Sequence, residues 1–355
     1  MNARTEPLSV SSDTSVLVFV NRIAGRGSVQ AYLHRLRDLF ESLHISAQFL
    51  ETGSASELES ASRQALVEGH RLLLAMGGDG TFQALANGAF ENDAIIGILP
   101  AGGGNDFAAA LGLPGDLIRA AERLLKGKPR LVDLLRVRTA DGRTRLFAGG
   151  GGVGLDAEAA VRANGPYRRL PGRIRYIASA LHALSEHQPL QIRLEFPGTD
   201  IQPVEAISLL TGVLNTPTYG GGVRLAPDAR IDDGLLDVVL IGEMNILGVL
   251  KLLPQLVGSG ELRTSQLRRW QVKRLTMLTD RPRPFHGDGE ILGSTPVQIE
   301  VVSRAVLLTT FNILGMGFWR ALAKHRTVRP AMAKAPKVTQ SASERRPPTA
   351  QSKTS

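Results

Sequence analysis

Three short segments of this chain are apolar from end to end: residues 16–20 (Val-Leu-Val-Phe-Val), 72–76 (Leu-Leu-Leu-Ala-Met) and 95–99 (Ile-Ile-Gly-Ile-Leu). A strand of that kind has no polar face to turn to water, so it must be covered on both sides. Between these segments apolar residues return at helical spacing, as at Leu33, Leu36, Phe40 and Leu43. Residues 45–50 read as a further strand, and 55–68, 116–125 and the stretch from Thr81 as helices. Buried strands alternating with helices demand a parallel sheet wrapped by helices. Binding sites in such sheets lie at the carboxyl ends of the strands.

The pattern changes past the turn signal Asp141-Gly142. Residues 191–196, 206–214, 237–241, 272–278, 297–302 and 305–311 read as short strands, with helices at 176–185 and 246–257. Many short strands separated by Gly, Pro, Asn and Asp make a sandwich or a barrel. A length of 355 residues suits two domains. The absence of cysteine excludes a disulfide scaffold, a cysteine zinc site and a thiolate nucleophile. No run reaches the ~18 apolar residues of a membrane-spanning helix. Residues 1–14 are polar, lack the apolar core of a secretory signal, and are expected to be disordered, with a cytoplasmic address.

The net charge of +9 is unevenly spread. Residues 320–355 hold nine Lys/Arg against one acid, Glu344, and so carry +8 of it. A nearly neutral body argues against a nucleic-acid-binding fold. The Pro/Ser/Thr/Lys/Arg-rich residues 327–355 are expected to be a disordered basic tail, open to an anionic membrane surface. Phe311, Leu314, Phe318 and Leu322 recur at helical spacing just before it. Arg168, Arg169, Arg173 and Arg175 form a basic stretch that could meet anionic headgroups.

Glycine loops follow three of the strands. Gly77, Gly78, Asp79, Gly80 and Thr81 follow the second apolar strand and open a helix. Bare glycine backbone and a helix N-terminus suit phosphate oxygens, and Asp79 supplies the charge a hydrated Mg²⁺ needs. An aspartate at a helix start is expected to add little to the core. Residues 100–107 (Pro-Ala-Gly-Gly-Gly-Asn-Asp-Phe) follow the third strand, and Asn21 to Gly27 follow the first. None of these three loops is a Gly-Lys-Ser/Thr P-loop or a GxGxxG fingerprint. On their residues alone, Asp232-Asp-Gly and Asp288-Gly-Glu read as hairpin turns. In a turn, Gly289 would let Asp288 and Glu290 converge, and His286 stands two residues away.

Taken in order, these motifs resemble the diacylglycerol kinase catalytic-domain family, which includes the sphingosine and ceramide kinases. Residues 77–81 resemble its GGDGT loop and 100–107 its PxGTxNDF loop. Val132-Asp133 resembles the strand closing its first domain, and residues 152–157 the glycine stretch opening the second. Tyr219–Gly222, Ala226–Ala229 and Asp232–Leu235 resemble a long specific block, and Asp288–Glu290 its late acidic motif. The chain departs from the family at Arg22, Gly103 and Gly149, where proline, threonine and asparagine are usual.

The resemblance implies an NAD-kinase-like α/β domain at 15–140, completed by 307–326, and a β-sandwich lipid-substrate domain at 141–306. It implies ATP bound by Asn21, Gly25, Thr52, Gly77, Gly78, Asp79, Gly80, Thr81, Phe82, Gln83 and Gly103. Asp288 or Glu290 would be the catalytic base, and Arg230, Asp233 and Leu235 would hold a structural Mg²⁺. The expected function is a Mg²⁺-dependent lipid kinase acting on diacylglycerol or a related lipid alcohol, peripheral at the inner membrane surface. The alternatives are a soluble-metabolite kinase of the NAD kinase type and a non-catalytic nucleotide- or lipid-binding module. A homodimer is left open.

Overall fold

The computed structural model describes residues 15–22, 24, 29–90, 94–126, 129–167, 170, 172–188, 190–257 and 262–309. The first part alternates β1 (Val16–Asn21), α1 (Val29–Ser42), β2 (Ala47–Thr52), α2 (Ala55–Val67), β3 (Leu72–Gly77), α3 (Asp79–Ala89) and β4 (Ile95–Pro100). Helices α4 (Asp106–Ala110) and α5 (Leu117–Lys126) follow. The four strands pair in parallel in the order β2-β1-β3-β4. Every residue of β3 and β4 is buried, as their unbroken apolar runs require. Helix α2 starts where Ser54 accepts the N–H of Glu57 and the Glu57 carboxylate accepts that of Gly53.

The second part contains β5 (Pro129–Arg138), β6 (Thr144–Phe147), β7 (Gly150–Gly154), α6 (Leu155–Asn164), α7 (Gly172–Glu186), β8 (Leu190–Glu195) and β9 (Val204–Leu214). It continues with β10 (Leu236–Gly242), α8 (Ile246–Val257), β11 (Leu267–Val272), β12 (Arg274–Thr279), β13 (Pro284–Gly287), β14 (Glu290–Ser294) and β15 (Val297–Thr309). Its strand pairs are antiparallel, and their inward residues, among them Leu135, Phe147, Leu194, Val238, Met277 and Ile299, form one core. The expected sequel to the parallel sheet, a β-rich second part, is what the chain builds.

Strand β15 joins the two parts. It runs antiparallel to β5 and β12, then lays Leu307 and Leu308 parallel to Ile95 and Ile96 of β4. Residues 297–302 and 305–311, read from sequence as two strands, are one strand as far as Thr309, with a register shift between Val302 and Val306. A bulge bends a strand without ending it. The expected strand at 272–278 divides at Lys273. Val272 pairs with Leu236 of β10, whereas Arg274 pairs with Glu300 of β15. The expected segments at 1–14, 310–326 and 327–355, with the helical spacing from Phe311 to Leu322, lie outside the described residues, as do the side chains of the basic stretch at 168–175.

Candidate active site

Parallel pairing brings the ends of β1, β3 and β4 side by side, and the glycine loops meet there. Asn21, the last residue of β1, donates its Nδ2 to Thr81 Oγ1 at 2.9 Å. Thr81 sits against Gly77 so closely that any Cβ there would overlap it. The next two loops touch through bare backbone: a Cβ on Gly102 would lie 2.5 Å from the Cα of Gly78. Asn105 adopts a left-handed conformation, φ 57°, and clasps its own loop, accepting the Gly102 N–H and donating to the Gly102 carbonyl, both at 3.0 Å. Asp79 accepts the N–H groups of Asp106 at 3.2 Å and Phe107 at 3.1 Å, the first turn of α4. Phe82 stacks on Phe107 with ring centroids 4.8 Å apart.

The β13–β14 hairpin faces this surface. Its two-residue turn has Asp288 at φ 51° and Gly289 at φ 84°, as a type I′ turn demands. Three backbone donors hold Asp288: Ala148 at 2.7 Å on Oδ2, and Gly149 at 2.9 Å and Gly150 at 3.2 Å on Oδ1. A side chain on Gly149 would press on Asp288, its Cβ 3.2 Å from Oδ1. Glu290 opens β14, is exposed, and places Oε1 3.4 Å from where a Cβ on Gly80 would stand. Gln83 ties α3 to the hairpin by donating to the Gly287 carbonyl at 3.0 Å. The turn and the acidic site are therefore the same object, and its two carboxylates have different neighbours. Asp288 is engaged by backbone beneath the turn, and Glu290 is presented at the phosphate-type loop.

Asp288 and Asp106 both lie near enough to Asp79 to repel its charge. Burial, then Asp288, then Asp106 push the Asp79 carboxyl up to about 7, against the pull of its two backbone donors. Burial raises Asp288 to about 6, and its three N–H donors oppose the rise. Asp106 also accepts the Gly221 N–H at 2.7 Å, which docks the 219–222 loop on the second glycine loop. Behind the turn, the Tyr219 hydroxyl donates to Asp156 Oδ2 at 2.7 Å and meets His286 Nε2 at 2.5 Å. Burial and then Asp156 push the Tyr219 phenol well above its usual value. His286 is buried in this cluster. Sequence reasoning quoted Tyr219 and Asp156 only inside longer motifs, and no short spacing links residues so far apart in the chain.

The other expected residues fall as follows. Thr52 is buried at the end of β2, paired with Asn21. Phe82 and Gln83 are buried and brace the loops from behind. Gly103 is exposed at the loop surface, and Gly25 lies outside the described residues. Asp233 is exposed and accepts the Leu235 N–H at 3.0 Å, Asp232 pairs with Arg130 at 2.7 Å, and buried Asp133 accepts the Gly234 N–H at 2.7 Å. This acidic turn lies beside Asp237, whose carboxyl is raised to about 6 by burial first and by Asp233 and Asp228 after it. Beyond opening α3, the Asp79 carboxylate caps α4 and joins two loops, a link the sequence does not show. Asn215 was not singled out in the sequence. It donates to the carbonyls of Asp133 at 2.9 Å and Ala148 at 3.0 Å, locking the strands that carry the Asp288 cradle.

Glycine loops at parallel strand ends, opposed by an acidic hairpin from a β-rich partner, define a phosphoryl-transfer enzyme of the kinase kind. Residues 15–137 match the profile described as "Diacylglycerol kinase catalytic domain", and residues 151–310 that described as "YegS C-terminal NAD kinase beta sandwich-like domain". A Chromohalobacter salexigens protein named "Probable lipid kinase YegS-like" is 31% identical over 299 residues, 82% of this chain and 90% of that one. The Bacillus subtilis "Diacylglycerol kinase" is 25% identical over 79% of this chain and 90% of its own. A solved structure titled as a diacylglycerol kinase from Bacillus anthracis str. Sterne shares the fold with a TM-score of 0.62 at 21% identity, covering 86% of this chain and 99% of that chain. The chain belongs to the diacylglycerol kinase catalytic-domain family of ATP-dependent lipid kinases.

Proposed function

We propose that the protein transfers the γ-phosphate of ATP to the hydroxyl of diacylglycerol or a related lipid alcohol, with Mg²⁺, at a membrane surface. The observation that carries the reading is the position of Glu290 against Gly80, on the loop whose bare backbone opens α3. Phosphoryl transfer needs little covalent chemistry from a protein. It needs held phosphates, neutralised charge and an oriented nucleophile. The N–H groups at the start of α3 bind phosphate oxygens. Glu290 takes the proton of the lipid hydroxyl as the bond to phosphorus forms. Asp288, saturated by three N–H donors, holds the hairpin that presents Glu290 and adds negative charge.

The donor chemistry fits divalent cations. Asp288 and Asp106 crowd negative charge onto Asp79 at the glycine loops, which a cation would relieve. Asp233, with Asp228 and Asp237 nearby, forms a second acidic group, and with the Arg230 and Leu235 carbonyls it would offer hard ligands to a structural Mg²⁺. A bound Mg²⁺ at the glycine loops supplies charge neutralisation for the phosphates.

Peripheral membrane action rests on sequence: the basic tail carries most of the net charge. Among the described residues, no helix is long and apolar enough to cross a membrane. The test is transfer of label from γ-³²P ATP across a panel of lipid alcohols in mixed micelles, with and without Mg²⁺. Labelling of a lipid hydroxyl supports the proposal, and labelling only of soluble acceptors would end it.

A further inference from the structure

The sheet formed by β12, β15, β5 and β6 turns its apolar face to the core, through Leu275, Ile299 and Val137. Its other face is built differently. Thr276, Gln298, Arg138 and Thr144 stand in one cross-strand row. Arg274, Glu300 and Arg136 stand in a second row, two residues along each strand and so on the same face. The end of α3, with Asn87 and Phe90, and Pro197 wall this face into a cavity of about 740 Å³.

The cavity has more cation than it spends. Arg136 pairs with Glu300 at 3.1 Å and lies over the Phe90 ring at 5.2 Å. Arg145 is bidentate on Glu59 at 3.0 and 2.7 Å. Among the described residues Glu300 is the only acid in the lining, and it faces both Arg136 and Arg274 across the strands. Arg138 and Arg274 make no side-chain hydrogen bond or ion pair among the described residues. They lie on either side of β15, about 9.5 Å apart across the strands and about 7 Å along them, so about 12 Å between backbones. Two long guanidinium arms from that distance can close on one tetrahedral oxyanion above Gln298. The hydroxyls of Thr144 and Thr276 and the Gln298 amide in the lining add neutral hydrogen-bond partners for its remaining oxygens.

We infer that this cavity is a binding site for a phosphate monoester dianion, held by Arg138 and Arg274 and distinct from the glycine loops. The site adjoins the support of the catalytic hairpin. Asn87 on its wall holds Leu146 at both N–H and carbonyl, 2.9–3.0 Å, and the chain runs from Leu146 directly into the N–H groups that cradle Asp288. The phosphate can belong to a soluble ester or to a lipid headgroup.

The full chain is titrated calorimetrically with inorganic phosphate against chloride at matched ionic strength, with a non-hydrolysable ATP analogue present throughout. The expected result is one bound phosphate whose affinity falls at least tenfold in the Arg138→Gln/Arg274→Gln double variant. If the double variant does not fold, Arg138→Gln alone is used, since Arg138 is exposed. Glycerol 3-phosphate and phosphatidylcholine vesicles doped with phosphatidate then separate the sources. Vesicle co-sedimentation lost in the variant identifies a headgroup, and competition by glycerol 3-phosphate without vesicle binding identifies a soluble ester. Equal phosphate affinity in wild type and variant, equal effect of chloride, or no binding up to about 10 mM would overturn the inference.

Discussion

Asp79 should cost the protein stability at neutral pH, and Asp79→Asn should reveal the cost. The residue sits among Asp288 and Asp106, and its carboxyl titrates near 7 instead of 3.8. A carboxyl raised in the folded state contributes stability below pH ~4 that is lost as pH climbs through its folded value. From 3.8 to about 7, with allowance for partial exposure, the ionised form carries a penalty of about 2–4 kcal/mol. An asparagine has no such titration. At pH 5 it should be the less stable protein by about 1–2 kcal/mol, because its amide must face one of the N–H groups of Asp106 and Phe107. At pH 8 that deficit should vanish or reverse. Across the range, the melting-temperature difference should move by about 4–8 °C in the variant's favour. Kinase activity should be lost at every pH. Thermal melts of both proteins from pH 4.5 to 8.5 are the assay. A difference independent of pH would refute the reasoning.

Gly102→Ala should drive a Cβ to within 2.5 Å of the Gly78 backbone, cost about 1–3 kcal/mol and raise the KM for ATP, read by melts and steady-state kinetics. Asp233→Ala should erase the Mg²⁺-induced rise in melting temperature, and an EDTA-insensitive wild type would remove the structural cation. Truncation after Arg326 removes most of the positive tail. It should weaken co-sedimentation with anionic vesicles at low salt while sparing turnover on detergent-dispersed lipid.

The parallel sheet was legible because strands buried on both faces leave no other arrangement for runs such as residues 72–76. The glycine loops were legible because glycine excess at strand ends has few other uses, and the contacts of Gly77 and Gly102 give the steric reason. The second part was less so. Strand β7 is glycine with one valine, and carries no β signal of its own. It is a strand because β9 and β13 flank it, and its neighbours approach so closely that a side chain on Gly151 or Gly152 would clash with them. Val272 and Arg274 read as one strand because pairing partners are not written locally. The roles of Asp288 and Glu290 could not be divided from sequence. That division depends on which residue the N–H groups of Ala148 to Gly150 reach, more than a hundred positions away.

The account's central claim is that a carboxylate on the β13–β14 hairpin serves a lipid hydroxyl at the glycine loops. It is tested most directly by γ-³²P transfer to diacylglycerol in mixed micelles by wild type and Glu290→Gln. The wild type should label the lipid. The variant should melt at the wild-type temperature, keep a similar KM for ATP, and lose about 10² or more in kcat. A fully active Glu290→Gln, or a loss confined to ATP affinity, would contradict the claim.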